Sequence, residues 1–332
     1  MRIAINGFGR IGRLTFRDLI TREGVEVAAI NDLADNETLA HLLKYDSAQG
    51  KFDGTVHAKE DALVVNGTSI PAFAERDPSK LPWKELNIDL VLECTGVFRT
   101  KAKASMHLDA GAKDVLLSAP AKGEGVQTIV LGVNDDEIDR RHNVFSNASC
   151  TTNCLTPILK VLHEAYDIQA GYMTTVHAYT ADQRLQDAPH SDLRRARAGA
   201  FNIVPTTTGA ANAAAIVYPP IKGKLSAIAI RVPVITGSLI ELDVQVNKVP
   251  ESRDDVNDLF KKAADGPMKG ILSYIEDPIV SSDIIRNPHS SILDSLLTDV
   301  NQNLIKVVSW YDNEAGYSAR LADLACKILK VD

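Results

Sequence analysis

The segment Arg2-Ile3-Ala4-Ile5-Asn6-Gly7-Phe8-Gly9-Arg10-Ile11-Gly12 constrains the fold more than any other part of this 332-residue chain. A short apolar run, which reads as a buried strand over Arg2–Asn6, is followed by glycines at Gly-x-Gly-x-x-Gly spacing and then by a helical pattern from about Ile11 to Thr21. The strand must turn sharply into a helix that packs back on it. Gly7 permits the turn, Gly9 lets another group approach the backbone, and Gly12 lets helix and strand lie close. The next strand, Val25–Asn31, ends at Asp32, 20 residues past Gly12. That is where a dinucleotide-binding βαβ unit carries the acid that takes the ribose hydroxyls, while the helix N-terminus takes phosphate charge. A carboxylate at 32 repels the extra phosphate of NADP, which favours NAD. A ligand-free glycine turn and a strand-end Asp are the plain alternatives.

The first half continues as short apolar runs at Leu90–Cys94, Val115–Ser118, Ile129–Leu131 and Val144–Ser146, with helical stretches such as Lys101–Ala110 between some of them. Strands alternating with helices predict a parallel α/β sheet of Rossmann type. From Cys150 the character changes. A helix runs toward Tyr166. Longer β-rich segments follow at Tyr172–Tyr179, Ser226–Val234, Ser238–Val246 and Leu304–Tyr311, and Ser252 and Asp255 form a capping box for another helix. This reads as an α+β domain with a mostly antiparallel sheet. Leu321, Leu324, Ala325, Ile328 and Leu329 fall on one face of a C-terminal helix. That helix is expected to return to the first domain, although a surface helix of the second would carry the same stripe. The expected division is 1–149, completed by 315–332, and 150–314.

Composition narrows the partners. A net charge of -7 argues against a nucleic-acid face. Four cysteines in a chain of this length make no disulfide scaffold and suit a reducing compartment. The N-terminus shows no secretory h-region and no stretch is long and apolar enough to span a bilayer, so the expectation is a cytoplasmic protein with no membrane partner.

Ser146-Asn147-Ala148-Ser149-Cys150-Thr151-Thr152-Asn153-Cys154 leaves a strand and opens a helix. A thiol in a helix's first turn feels the positive end of the dipole, which favours the thiolate. Cys150 is therefore the candidate nucleophile, and Cys154, one turn further in, a core residue. The Cys-x-x-x-Cys spacing has no second pair, so no metal site is expected. Among eight histidines, His177 near the end of a strand is the candidate base. Arg184, Arg194, Arg195 and Arg197 cluster ahead of Thr206-Thr207-Thr208-Gly209, and Arg231 sits in an apolar strand, where a charge needs a partner. Guanidinium forks and hydroxyls are suited to phosphate. A solvated surface is the plain reading for part of the arginine run.

Taken together, Ala4–Arg13, Ala148–Cys154, His177-Ala178-Tyr179-Thr180, Pro205-Thr206-Thr207-Thr208-Gly209-Ala210 and Trp310-Tyr311-Asp312-Asn313-Glu314 resemble the glyceraldehyde-3-phosphate dehydrogenase family over essentially the whole chain. The resemblance implies a homotetrameric enzyme of glycolysis and gluconeogenesis that oxidises glyceraldehyde 3-phosphate with NAD and inorganic phosphate. It implies that Cys150 forms a thiohemiacetal and then a thioester, with His177 as base. Thr180 and Arg231 would hold the substrate's phosphate, and Ser149, Thr151, Arg195, Thr208 and Gly209 the attacking phosphate. Gly7, Gly9, Arg10, Ile11, Gly12, Asp32, Arg76, Ser118, Asn313 and Tyr317 would form the NAD site, with Asn313 fixing the carboxamide. The chain departs from the commonest family pattern at Val234-Ile235-Thr236-Gly237, Ala181 and Ala315. Erythrose-4-phosphate dehydrogenase has the same cysteine chemistry and stays open as an alternative. A non-catalytic NAD-binding regulator would need the glycines and Asp32 but not Cys150, His177, Arg195 and Arg231 together.

Overall fold

A computed structural model describes residues 1–330. The chain divides into two compact units. The first comprises Met1–Ile129, Asp136–Ser149 and the C-terminal segment from Ser318; the second comprises Val130–Asp135 and Cys150–Tyr317.

In the first unit the strands are β1 (Arg2–Asn6), β2 (Glu26–Asn31), β3 (Val56–Ala58), β4 (Ala62–Val65), β5 (Thr68–Phe73), β6 (Leu90–Glu93), β7 (Asp114–Leu117), β8 (Gln127–Thr128) and β9 (Val144–Ser146). Helices α1 (Arg10–Leu19), α2 (Asn36–Lys44) and α3 (Lys101–Asp109) connect them. The sheet order is β3-β4-β5-β2-β1-β6-β7-β9-β8. From β5 to β9 this is the 3-2-1-4-5-6 order of a dinucleotide-binding sheet, and every pairing there is parallel. β6 and β7 are buried at every position and β2 at all but its first. Strands covered on both faces read as unbroken apolar runs, which is why the sequence announced them.

Two features differ from expectation. Ile129–Leu131 is buried but is not a strand. The ladder stops at Thr128, and Val130 N–H is taken by Asn134 Oδ1 at 2.9 Å and Gly132 N–H by Asp135 Oδ1 at 2.7 Å. An apolar run reports burial, and here the burial belongs to a turn. The β4–β5 hairpin was not anticipated, although its Asn66-Gly67 turn, with φ of 50° and 83°, is the pair a two-residue hairpin requires.

The second unit contains α4 (Cys150–Tyr166), β10 (Ile168–Ala178), β11 (Val204–Thr207), α5 (Ala210–Val217), β12 (Leu225–Val232), β13 (Ser238–Val246), α6 (Arg253–Asp265), β14 (Leu272–Ile275), β15 (Ser291–Asn301), β16 (Leu304–Tyr311) and the start of α7 (Ala315–Leu329). Its sheet runs β11-β12-β10-β13-β16-β15-β14. The β10–β12 and β14–β15 pairings are parallel and the others antiparallel. One face packs on α4, α5 and α6 through a core that includes Leu155, Ile158, Leu162, Ile240, Leu242, Phe260 and Val307. Ser252 caps α6 by accepting Asp255 N–H at 3.2 Å. No helix among the described residues is long and apolar enough to cross a membrane.

From Ser318 onward α7 belongs to the first unit. Leu321, Leu324, Ala325 and Ile328 are buried as the stripe required. Arg22 ties this helix to α1, reaching Asp18 at 2.5 Å and Asp323 at 2.6 Å.

The glycine motif now has a measurable logic. Gly7 has φ of 92°, and a Cβ on Gly12 would lie 2.2 Å from Gly7 O, whereas a Cβ on Gly9 would meet nothing within 4 Å. Gly12→Ala is therefore expected to lower stability by about 1–3 kcal/mol, the range for forcing volume into a packed site. Gly9→Ala should leave the unfolding midpoint unchanged. Urea titrations of both variants check this, and equal midpoints would refute it.

Candidate active site

At the carboxyl ends of β1, β2 and β6 the first unit opens a crevice of about 480 Å³, lined by Asn6, Gly7, Gly9, Asp32, Arg76 and Thr95 among others. It sits where the strand order reverses, the position at which open α/β sheets take ligands. α1 begins at Arg10, behind Gly9 as a cap without a side chain, and has no acid in its first turn, a setting in which a helix N-terminus favours an anion. Asp32 accepts Phe8 N–H at 2.7 Å and Ala34 N–H at 3.0 Å. It thus pins the glycine loop from across the crevice. Arg10 pairs with the buried Asp46 at 2.7 Å. Ser118, just past β7, donates its N–H to Glu93 O at 3.0 Å. Gly12 and Ile11 lie in the first turn of α1.

In the second unit four of the expected residues come together. Cys150 is the first residue of α4, and its Sγ lies 3.5 Å from His177 Nε2. The parallel register of β10 and β12 sets His177 opposite Arg231. Arg231 Nη1 lies 2.8 Å from His177 Nδ1 and donates to Ala178 O at 3.0 Å. His177 Nδ1 is 2.7 Å from that same carbonyl. Nδ1 thus faces both an acceptor, the Ala178 carbonyl, and a donor, the Arg231 guanidinium, while Nε2 is the ring nitrogen that faces the thiol. Thr151 hydroxyl meets Tyr311 OH at 3.0 Å, and Tyr311 also meets Thr175 at 2.9 Å.

Electrostatically the pair is held neutral. Burial pushes the His177 imidazole down to about 3, with the Arg231 guanidinium adding to the effect. Burial pushes the Cys150 thiol up, opposed by Arg231 and by the Thr151 hydroxyl and N–H. This departs from the acidic thiol that the helix terminus alone suggests. In both shifts burial is the first cause, because a low-dielectric site disfavours a lone charge. Cys154 is fully buried against Ser291 and Ser309, its thiol pushed up to about 12. It is a core residue, as expected.

The remaining phosphate candidates are separately held. Arg195 donates to Asp182 at 2.8 Å, to Thr206 Oγ1 at 2.9 Å and to Thr207 O at 3.1 Å. It acts on His177 through its charge. Gly209 precedes α5, and Thr208 Oγ1 accepts Ala210 N–H at 3.2 Å. Ser149 and Thr180 flank α4 and β10 and are half-buried. Arg184 and Arg197 bind Pro189 O and Asp187 on the surface, the solvated role foreseen for part of that run. Asn313 is buried, its Oδ1 accepting Gly237 N–H at 3.2 Å and the Ser238 hydroxyl at 2.9 Å. Tyr317 is buried in the first turn of α7.

Sequence reasoning missed Tyr311, Thr175 and Ser238. Each is a hydroxyl residue within or at the end of a strand, which period alone cannot distinguish from packing. The departure at Val234–Gly237 is accommodated locally: Thr236 donates to Asp312 Oδ1 at 2.7 Å, and Gly237 takes φ of 88°.

A reactive thiol of this kind, in a chain that also carries such a crevice, is the equipment of NAD-dependent dehydrogenases that oxidise aldehydes through a bound cysteine. The model for the glyceraldehyde 3-phosphate dehydrogenase NAD binding domain matches residues 1–101, and that for the C-terminal domain matches residues 149–313. A glyceraldehyde-3-phosphate dehydrogenase of Thermotoga maritima is 56% identical over 333 residues, covering 99% of each chain. Those of Mycobacterium avium and Borreliella burgdorferi are 55% identical over 337 residues, with at least 99% of each chain covered. The chain belongs to the glyceraldehyde-3-phosphate dehydrogenase family.

Two measurements follow from the site's electrostatics. His177→Asn and Arg231→Leu should each move the pH profile of Cys150 alkylation by iodoacetamide upward, because one removes the proton acceptor and the other the cation that favours thiolate. Unchanged profiles in both would dissociate them from the thiol. His177 also destabilises the fold in acid. Its folded value of about 3 lies below an unfolded value near 6.5, so the folded chain binds fewer protons between the two. Its contribution is fully present above pH 6.5 and falls by about 1.4 kcal/mol per pH unit below it. His177→Asn should flatten that part of the stability curve in urea titrations between pH 4 and 7.

Proposed function

We propose that this chain catalyses the NAD-dependent oxidative phosphorylation of D-glyceraldehyde 3-phosphate to 1,3-bisphosphoglycerate, a step of glycolysis and gluconeogenesis. The observation that carries the reading is the Cys150 thiol 3.5 Å from Nε2 of an imidazole whose Nδ1 is fixed between Ala178 O and Arg231. The names of its relatives agree with it.

The crevice residues fit NAD: the loop at Gly9 has room for a phosphate, the first turn of α1 is uncapped, and Asp32 is an acceptor at ribose distance along the chain. Residues 1–149 with the C-terminal helix would bind it through Gly7, Gly9, Arg10, Ile11, Gly12, Asp32, Arg76 and Ser118, and residues 150–314 would carry the chemistry. Asn313, whose carbonyl oxygen is already engaged, would offer its amide N–H groups to the carboxamide, and Tyr317 would pack near the ring. When bound, NAD supplies the hydride acceptor.

The chain's own residues do the rest. His177 Nε2 takes the thiol proton, and Cys150 Sγ bonds to the aldehyde carbon. The imidazolium N–H then faces the developing oxyanion and returns its proton to give the thiohemiacetal. As that adduct is oxidised, Nε2 takes the hydroxyl proton, and a thioester remains on Cys150. Inorganic phosphate attacks the thioester carbon, the Cys150 thiolate leaves, and the acyl phosphate is released. Arg231 and Thr180 would hold the substrate's phosphate. Ser149, Thr151, Arg195, Thr208 and Gly209 would hold the attacking one.

A homotetramer is part of this proposal. Tyr172, Leu193, Phe201, Ile203 and Ile228 of the second unit are more than half exposed, and apolar surface of this extent suits burial between copies. Four free cysteines suit a cytoplasmic setting.

The test is NAD reduction with glyceraldehyde 3-phosphate, with and without inorganic phosphate. Phosphate-dependent turnover is expected, lost in Cys150→Ala by more than about a thousandfold and largely retained in Cys154→Ala. Equal loss in the two variants would remove Cys150 from its role. Faster turnover of erythrose 4-phosphate would change the substrate.

A further inference from the structure

A buried polar cluster beneath the crevice of the first unit takes part in none of the steps above. Glu93, the last residue of β6, is 1% exposed. Its Oε2 accepts from Asn6 Nδ2 at 2.5 Å and lies 3.1 Å from His107 Nε2. Its Oε1 accepts Thr95 N–H at 2.8 Å and the Thr95 hydroxyl.

The direction of these bonds is set from outside, at both ends. At one end, Trp83 Nε1 lies 3.0 Å from His107 Nδ1. An indole N–H only donates, so Nδ1 carries no proton and the ring's N–H is on Nε2, facing Glu93. At the other end, Glu75 N–H donates to Asn31 Oδ1 at 2.8 Å, and Glu75 O accepts from Asn31 Nδ2 at 2.9 Å. That amide cannot turn over. The same Nδ2 donates to Asn6 Oδ1 at 2.7 Å, which commits the Asn6 amide N–H groups toward Glu93. Position 93 therefore meets donors on every side, and only an acceptor-only group satisfies them.

Asn6, Asn31, Glu75 and Thr95 all line the crevice. They come from the ends of β1 and β2 and from just past β5 and β6. We propose that Glu93 is a positioning residue of the dinucleotide crevice: its carboxylate, by accepting from Asn6, His107 and Thr95 at once, holds the crevice walls in the arrangement that binds the cofactor. The proposal rests on the NAD reading above.

The test is the equilibrium affinity of the full chain for NAD, measured by titration calorimetry in four variants. Glu93→Gln keeps the shape but turns an NH2 group against donors, and should weaken NAD binding at least about tenfold. Trp83→Phe added to it frees His107 to carry its proton on Nδ1 and accept at Nε2, so the double variant should recover part of the loss. His107→Gln and His107→Leu both remove the ring that packs edge-on to Phe98 at 6.2 Å. Only the first keeps a donor toward Glu93, so it should bind NAD several-fold more tightly than the second, in keeping with one buried hydrogen bond. Cys150 alkylation should be unchanged in every variant, reporting an intact second unit.

Unchanged NAD affinity in Glu93→Gln, no recovery in the double variant, or equal affinity in the two His107 variants overturns the proposal. If Glu93→Gln does not fold, the His107 pair decides. Absence of NAD binding by the unsubstituted chain overturns the cofactor reading and this proposal with it. Normal binding by that chain and by Glu93→Gln alike overturns this proposal alone.

Discussion

The chemistry of the second unit depends on the parallel pairing of β10 with β12. That register sets His177 opposite Arg231, and the cation then does three things through one contact. It occupies the Ala178 carbonyl with the imidazole, it presses the imidazole toward its neutral form, and it pulls against the burial that raises the Cys150 thiol. A guanidinium in an apolar strand is unfavourable unless it is paired. Here its partners are the Ala178 carbonyl and the His177 ring that faces the Cys150 thiol.

α4 supplies the other half. Its first residue is Cys150, and the following residues through Leu159 are buried. Packing of that helix fixes the thiol at its N-terminal end, where the dipole is positive. Burial makes each charged form costly, and Arg231 favours the thiolate while it disfavours the imidazolium.

The first unit solves a different problem with the same economy of means. Parallel strands bring several side chains to one sheet edge, where buried polar groups must all be satisfied. The glycines provide room, Asp32 ties down the loop, and Glu93 collects the donors that the strand ends present. Satisfying the buried polar groups and shaping the crevice are one arrangement.

Much of this was legible in the residues. Gly7, Gly9, Gly12 and Asp32 require a turn and a spacing that few folds provide, and Cys150 announced itself by following a strand and opening a helix. The buried parallel strands were visible as apolar runs, because burial on both faces leaves no alternation to interpret. Ile129–Leu131 misled for that same reason. What one dimension could not hold is the pairing of remote segments. Nothing near His177 in sequence names Arg231, Tyr311 or Cys150 as its neighbours, and nothing near Glu93 names His107 or Asn6. Local sequence determined which groups were present and which elements carried them, because turns, caps and periodicity act over a few residues. The tertiary structure alone decided their electrostatics, since burial and the partner across the sheet set how readily the Cys150 thiol and the His177 imidazole take a charge.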